Sequence, residues 1–593
     1  MDRKEIVASI VGLLRREKLS AFIIPSGDCH GSEYVADHWK CREYVSGFDG
    51  SAGTLVVTVE GAALWTDSRY WLQAEAQLDG SGITLMREGA DGVPSMAEWL
   101  CSKFAHGRVG VDASLYTVRS MESLMRSLSP LEVVAMGDIF DELWSGRPAM
   151  PDAPVTLLDD EYSGLRASGK LRRVRSSLGL SHGDVYPVSA LDEIAWLLNI
   201  RGGDIDYNPV TVSYLLITED EALLFIDGDK LSVSVVHKLR NEGVEIRDYG
   251  DFDAALSQCR DKRVVFNPSS LSWRHYELLR LGGAVLEAES DPSGVITSMK
   301  AVKNPIEIEG FRRAMVEDGV ALVRFYMWLE EQLHLGRRPT EWQSGERLRQ
   351  FRAESPLFRS DSFAPIVGYR SNGAIVHYEA PRRGCKRVGM DGFLLIDSGG
   401  QYLCGTTDIT RTVHFGTPTE QEKRDFTLVL KGNIDLARAV FPEGTRGSQL
   451  DFLARRHLCA ESLNYLHGTG HGVGHYLCVH EGPQSIRMNE NPVPLKAGMV
   501  ITDEPGLYRP RKWGIRSENV MLCVEHSSGP FGRYLAFEPL TLFPFDVRSI
   551  VLDMLTVEQR RWLNRYHATV YDRLSPGLTA KEKVWLMGKT KSI

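Results

Sequence analysis

Two stretches in the first half of the chain are echoed later, and this internal repetition constrains the fold more than any other feature. "AALWTDSRYWLQA" (62–74) reads as an apolar strand ending in a turn with Asp67, and "EALLFIDGDKLSV" (221–233) repeats the plan with Asp227 in the same role. "GRVGVDASLYTVRSMESLMRSL" (107–128) matches "KRVVFNPSSLSWRHYELLRLG" (262–282): a short strand, a turn of small residues, then a helix. Both offsets are about 155–160 residues, roughly one domain's length. Strands alternating with helices at a fixed period imply two copies of one α/β domain.

The copies are separated by a proline-rich linker, "GRPAMPDAPVTLL" (146–158). A second boundary falls near 304, where Asn304 is placed to cap a helix, Pro305 occupies its first position and Glu307 completes a capping box. The expected division is therefore 1–153, 154–303 and 304–593, with the last part the largest. A chain of 593 residues has room for this, at about 100–200 residues per domain.

Composition removes several function classes. The net charge of -9 argues against a nucleic-acid partner, which usually needs a basic stripe. The one local run, "KLRRVR" (170–175), reads as a solvated helix face. Nine scattered cysteines with no C-x-x-C pair suggest neither a disulfide framework nor a cysteine zinc site. The N-terminus reads as an amphipathic helix running into a strand, not a signal peptide, and no apolar run is long enough to span a bilayer. The expected location is cytoplasmic, with no membrane partner.

The unusual polar residues concentrate after 304. "HGTGHGVGHYLCVHEGP" (467–483) packs four histidines among glycines, and histidine alone cannot say whether it ligates, exchanges protons or donates a hydrogen bond. "GFLLIDSGGQYLCGTTDITRTVHFG" (392–416) reads as a hairpin: Asp397 ends one strand, "SGGQ" turns, and Asp408 lies in the other. Cross-strand neighbours sit within about 5–8 Å, so such a hairpin can bring both carboxylates to one face. Asp397 alone is most simply a turn residue, whereas Asp408 stands in a β-rich context that disfavours aspartate. "AGMVITDEPGLYRP" (497–510) adds Asp503 and Glu504, and "WGIRSENVMLCV" (513–524) adds Glu518. Arg516 shares the face of Glu518 by the period of two, so a structural ion pair is the plain reading of those two residues.

Four carboxylates cannot stay ionised together in a small interior pocket, because repulsion and desolvation would protonate most of them. Two divalent cations would resolve the conflict. An oxygen-rich set with one imidazole suits Mn²⁺, Co²⁺, Fe²⁺ or Zn²⁺ in a catalytic site. Two such ions about 3.5–4 Å apart can activate a water and polarise a carbonyl, which is hydrolase chemistry.

In order and local context, Asp397, Asp408, His471, Glu504 and Glu518 resemble the metal-ligand pattern of the pita-bread metallopeptidases (M24). Within that family the chain is similar to the three-domain Xaa-Pro aminopeptidases (aminopeptidase P). The likeness rests on "PIVGYRSNGAIVHYE", "DSGGQY", "TTDITRT", "HGTGHGVG", "VHEGP" and "DEPGLY". It extends to "FDGSAGTLVVT" and "TDSRYWLQA" in the first domain, "LDEIAWLLNIRGGDIDYNPV" in the second and "LAFEPLTLFP" near the end.

The resemblance implies an α/β (α+β) chain: two related creatinase-type N-terminal domains, then a pita-bread catalytic domain. It implies hydrolysis of the N-terminal Xaa-Pro bond of peptides with proline second. The cofactor would be two divalent ions, with Mn²⁺ favoured and Zn²⁺ or Co²⁺ as alternatives. His471 would be the imidazole ligand, Asp408 and Glu518 the bridging carboxylates, and Asp397 and Glu504 ligands to one ion each. Glu504 would also shuttle the proton. His377 and His480 would contact substrate and steady the oxyanion, and His467, Tyr508 and Arg516 would line the proline side. His475 matches no position of the motif and reads as a structural histidine. The resemblance also implies a homodimer whose front domains limit access to the site. The rival within the family is a prolidase, which shares the ligands but prefers dipeptides. A non-catalytic peptide-binding protein of this fold would be expected to have lost ligands, and all five are present.

Overall fold

In the computed structural model, which describes residues 2–593, the repetition appears as two sheets of one topology. The first runs in the order Ile83–Arg87, Gly61–Thr66, Thr54–Thr58, Ala21–Pro25, Arg108–Asp112, Glu132–Met136. The second runs Val244–Arg247, Ala222–Phe225, Tyr214–Thr218, Val185–Val188, Arg263–Phe266, Val285–Ala288. Both alternate in the same way: the three middle strands pair antiparallel, and parallel pairing follows on each side.

The echoes agree in detail. Asp67 accepts the amide of Arg69 at 3.0 Å, and Asp227 accepts that of Asp229 at 3.0 Å, the Asx turn that lets a strand end sharply. Further on, Asp112 accepts from Ser114 N at 2.9 Å and Asn267 from Ser269 N at 2.8 Å. The helices that follow, Val118–Leu128 and Trp273–Gly282, are capped by Thr117 and Ser272, and these two equivalent residues pair with each other as a β-bridge.

The chain divides into two compact units, residues 1–158 with 165–296, and residues 159–164 with 297–593. The second begins with the 30-residue helix Pro305–His334, whose start follows the sequence: Asn304 Oδ1 accepts from Ile306 and Glu307, and Glu307 returns a bond to Asn304 N. Asn304 also donates to Ser163 O at 2.9 Å, which ties the 159–164 segment to this unit. The core of the unit is one large apolar cluster in which helices Pro305–His334, Glu420–Ala437 and Val557–Leu574 pack on strands. A three-stranded antiparallel sheet (Ile366–Tyr369, Phe393–Ser398, Ile409–His414) and a six-stranded one carry the polar residues singled out above.

Three local expectations are corrected. Asp408 precedes the strand Ile409–His414 rather than lying in it, and the register pairs Asp397 with Thr410. The return from Asp397 is also longer than "SGGQ", because Gly400–Tyr402 and Gly405–Thr406 form a pairing of their own. In "KLRRVR", Lys170 is buried and donates to Trp196 O and Asn199 Oδ1, both at 2.7 Å, so only Arg172 and Arg173 keep the solvated face.

Candidate metal centre

Five elements of the second unit bring the candidate ligands together. Asp397 sits one residue before the end of Phe393–Ser398, opposite Ile366 on one side and Thr410 on the other. Glu504 follows the strand Val500–Asp503 and is anchored by its amide on Thr469 O at 2.7 Å. Glu518 occupies the break between Trp513–Arg516 and Asn519–Gly529, its amide donating to Thr410 O at 3.1 Å. His471 is the middle residue of the short strand Gly470–Gly472. The flanking glycines are steric: a Cβ on Gly470 would lie 2.0 Å from Thr502 O, and one on Gly472 would lie 2.1 Å from Glu481 O. The glycine spacing of "HGTGHGVG" is thus the condition for seating His471 between two close strands.

Asp408, His471 and Glu518 each offer a ligand atom within 4.8 Å of the others. His471 Nε2 lies 3.5 Å from Asp408 Oδ2 and 3.6 Å from Glu504 Oε1, while its Nδ1 meets Gly472 O at 2.9 Å. That backbone contact leaves Nε2 to face the acids. Burial pushes the Asp408 carboxyl well above the usual range, and the charges of Asp397 and Glu504 push it further. Glu518 is raised in the same way by burial and then by Asp408, Asp397 and Glu504.

Arg516 is the permanent cation in direct contact with this cluster. Burial would lower the Arg516 guanidinium, but Tyr508, Asp397, Glu504 and Glu518 hold it well above its ordinary value. Its partner is Asp397, with Nη2 at 2.5 Å from Oδ2, rather than the neighbouring Glu518. Arg516 Nε and Glu518 Oε2 instead meet at the Thr410 hydroxyl, at 3.1 and 2.7 Å. Sequence reading missed Thr410, which the strand register sets directly opposite Asp397. Arg516 continues to Tyr508 OH at 2.6 Å, and Tyr508 OH to His467 Nε2 at 2.8 Å.

The other histidines separate by position. The His480 ring stands edge-on to that of His471 at 4.4 Å. Next to it, buried Glu481 is held by two buried lysines, Lys303 and Lys300, the latter at 2.7 Å. His377 lies in a half-buried turn whose Val376 carbonyl accepts from Arg516 at 3.4 Å. His467 Nδ1 is 4.0 Å from Glu504 Oε2. His475 is buried against Phe311 of the long helix, with ring centroids 5.6 Å apart.

With this geometry in hand, comparison with known proteins is decisive. The model of metallopeptidase family M24 matches residues 309–525 and its C-terminal region model matches 533–593. Creatinase/prolidase N-terminal domain models match 7–143 and 146–307. Aminopeptidase P2 of Arabidopsis thaliana is 41% identical over 96% of this chain and 85% of its own. The chain belongs to metallopeptidase family M24. A Laccaria bicolor protein named "Probable Xaa-Pro aminopeptidase P" is 40% identical over 99% of this chain and 93% of its own. The crystal structure of an X-prolyl aminopeptidase from Caenorhabditis elegans, a cytosolic enzyme with a di-nuclear active site, superposes with a TM-score of 0.94 at 34% identity over both full chains.

The residues fit the two divalent cations that an M24 centre implies. Asp397 Oδ1 is buried and hydrogen-bonds to no protein atom, and the four carboxylates have Arg516 beside them, with the charge of Arg352 also acting on Asp408. Two dications would offset the charge of the four carboxylates. The donor set, oxygens with one imidazole, suits a catalytic ion rather than a structural zinc.

Proposed function

We infer that this M24 chain hydrolyses the bond between the first residue of a peptide and a proline at the second position. One observation carries the reading: Asp408, His471 and Glu518 converge on a single centre, with Glu504 3.6 Å from His471. Relatives that match the whole chain bear aminopeptidase P names, which favours this activity over that of a prolidase.

In the proposed assignment, Asp397, Asp408, His471, Glu504 and Glu518 would hold two metal ions, with Asp408, His471 and Glu518 at the centre of the set. When bound, the metals supply a Lewis acid for the scissile carbonyl and lower the pKa of a water. Glu504, half-buried and facing both His471 and His467, takes a proton from that water and delivers it to the leaving nitrogen. The leaving nitrogen is proline's own ring nitrogen, tertiary and without a hydrogen, and it must take up this proton to depart as an amine. His480 and His377 donate hydrogen bonds where negative charge develops on the substrate oxygen. Arg516 keeps Asp397 oriented and presents Tyr508, which with His467 lines the proline side. The substrate's free α-amino group pairs with Asp397, which limits cleavage to the first residue.

The finer proposals are Mn²⁺ as the native ion, a homodimer, a cytoplasmic location, and a division at 153 and 303. The cysteines support the location, since all nine are free thiols. Light scattering reporting only monomer would remove the dimer. The deciding assay compares an Xaa-Pro-Xaa tripeptide with an Xaa-Pro dipeptide after chelation, adding Mn²⁺, Zn²⁺ and Co²⁺ back separately. Faster cleavage of the tripeptide, with recovery greatest in Mn²⁺, is expected. Cleavage of the dipeptide alone would make the chain a prolidase.

A further inference from the structure

A groove of about 510 Å³ opens on the catalytic unit beside the helix Glu341–Arg352, away from every residue assigned above. Arg337, Arg338, Arg347 and Arg387 line it, against one carboxylate, Glu346. An adjoining depression shares Trp342 with it and adds Arg382 and Arg383. Among the described residues none of these six arginines forms an ion pair, in a chain whose acids outnumber its bases by 78 to 69. A concentration of unneutralised guanidinium groups on an acidic protein costs self-repulsion, which an anionic ligand would relieve.

The lining specifies the ligand further. Two of the guanidinium groups lie over indole faces, Arg347 over Trp328 at 5.5 Å and Arg382 over Trp342 at 5.4 Å. One face of each indole is therefore held by a cation, which fixes these guanidinium groups in the lining. The carboxamide oxygens of Gln332, Gln343 and Gln350 accept from Arg337, Thr340 N and Arg347, which leaves their NH₂ groups as donors. Apart from Glu346 the polar side chains of the lining offer donors, which calls for a ligand of acceptors. Along the helix the lining recurs at Trp342, Glu346 and Gln350, a span of about 12 Å at 1.5 Å per residue. That is the length of about three to four extended residues, too long for one compact phosphate to fill.

We propose that this groove docks an extended acidic segment of a partner protein, its carboxylates paired with the arginines and its backbone carbonyls with the glutamine amides. The test titrates the full-length protein into C-terminally fluorescein-labelled, N-acetylated hexaglutamate, followed by anisotropy. Acetylation keeps this probe out of the aminopeptidase site. Binding that weakens as salt screens the charges is expected. Arg337→Gln/Arg347→Gln should lose at least about tenfold in affinity while cleaving a neutral Xaa-Pro-Xaa tripeptide at the parent rate. If that double variant melts early, Arg382→Gln/Arg383→Gln carries the same expectation. Three results overturn the proposal: no rise in anisotropy up to the highest protein concentration reached, unchanged affinity in a stable variant, or displacement by sodium triphosphate at lower concentration than by unlabelled hexaglutamate, which would make it a phosphate site.

Discussion

Asp67 and Asp227 in the front unit each meet a backbone amide at 3.0 Å and close a turn; Asp408 and Glu518 in the catalytic unit are buried within reach of other carboxylates, and the charges of Asp397 and Glu504 raise both. The residue type and its place near a strand end are alike, and the outcome differs because of what the chain brings opposite. A turn amide stabilises a carboxylate locally and completes its role. A second carboxylate destabilises it, so the fold must hold both in place with packing and with Arg516 until cations neutralise them. Strain of this kind is tolerated where it serves chemistry, and the front unit, built twice on one plan, shows how the same acids sit where it does not.

The comparison can be broken first at the shared carboxylate. Asp408→Ala should reduce activity to background and lower bound metal, read by a tripeptide assay with elemental analysis; full activity at unchanged metal content would remove the assignment. His480→Ala tests whether its ring acts on developing charge. Loss of one such donor costs about 10²–10³-fold in kcat, with KM little changed, so an effect confined to KM would make His480 a binding residue only. Arg516→Ala tests the support behind Asp397. Removing an outer partner of a ligand costs about 10–100-fold in metal affinity, measured by competition with a chelator. At the opposite pole, Ser272→Ala removes one helix cap of the front unit. It should cost about 0.5–2 kcal/mol, visible in urea unfolding, and leave the rate of tripeptide cleavage unchanged. A large loss of activity there would mean that the front unit's turns serve the chemistry as well.

Much of this was legible in the residues. The duplicated plan, the cap at Asn304 and the crowding of acids are local patterns: a strand ending in an Asx turn, an N-cap with its glutamate, acids set in apolar strands; which histidine and which acids ligate came from the family resemblance. Errors came where partners are distant in sequence. Arg516 and Glu518 share a face by alternation, yet Arg516 pairs with Asp397, 119 residues away. Lys170 belongs to a run of charges that looks solvated, yet it reaches two acceptors 26 and 29 residues on. Thr410 went unnoticed because a threonine in a strand is ordinary until a glutamate and an arginine converge on its hydroxyl.

By itself the sequence determined the repeating α/β plan, the helix starts and the chemical type of the catalytic cluster, since these depend on periodicity, capping and residue identity within a few positions. Only the tertiary structure decided which acid takes Arg516, how closely His471 approaches Asp408 and Glu504, and that a set of arginines without ion-pair partners gathers in one groove. Those outcomes follow from strand register and packing between segments far apart in the chain, where a shift of one residue would reverse every facing side chain.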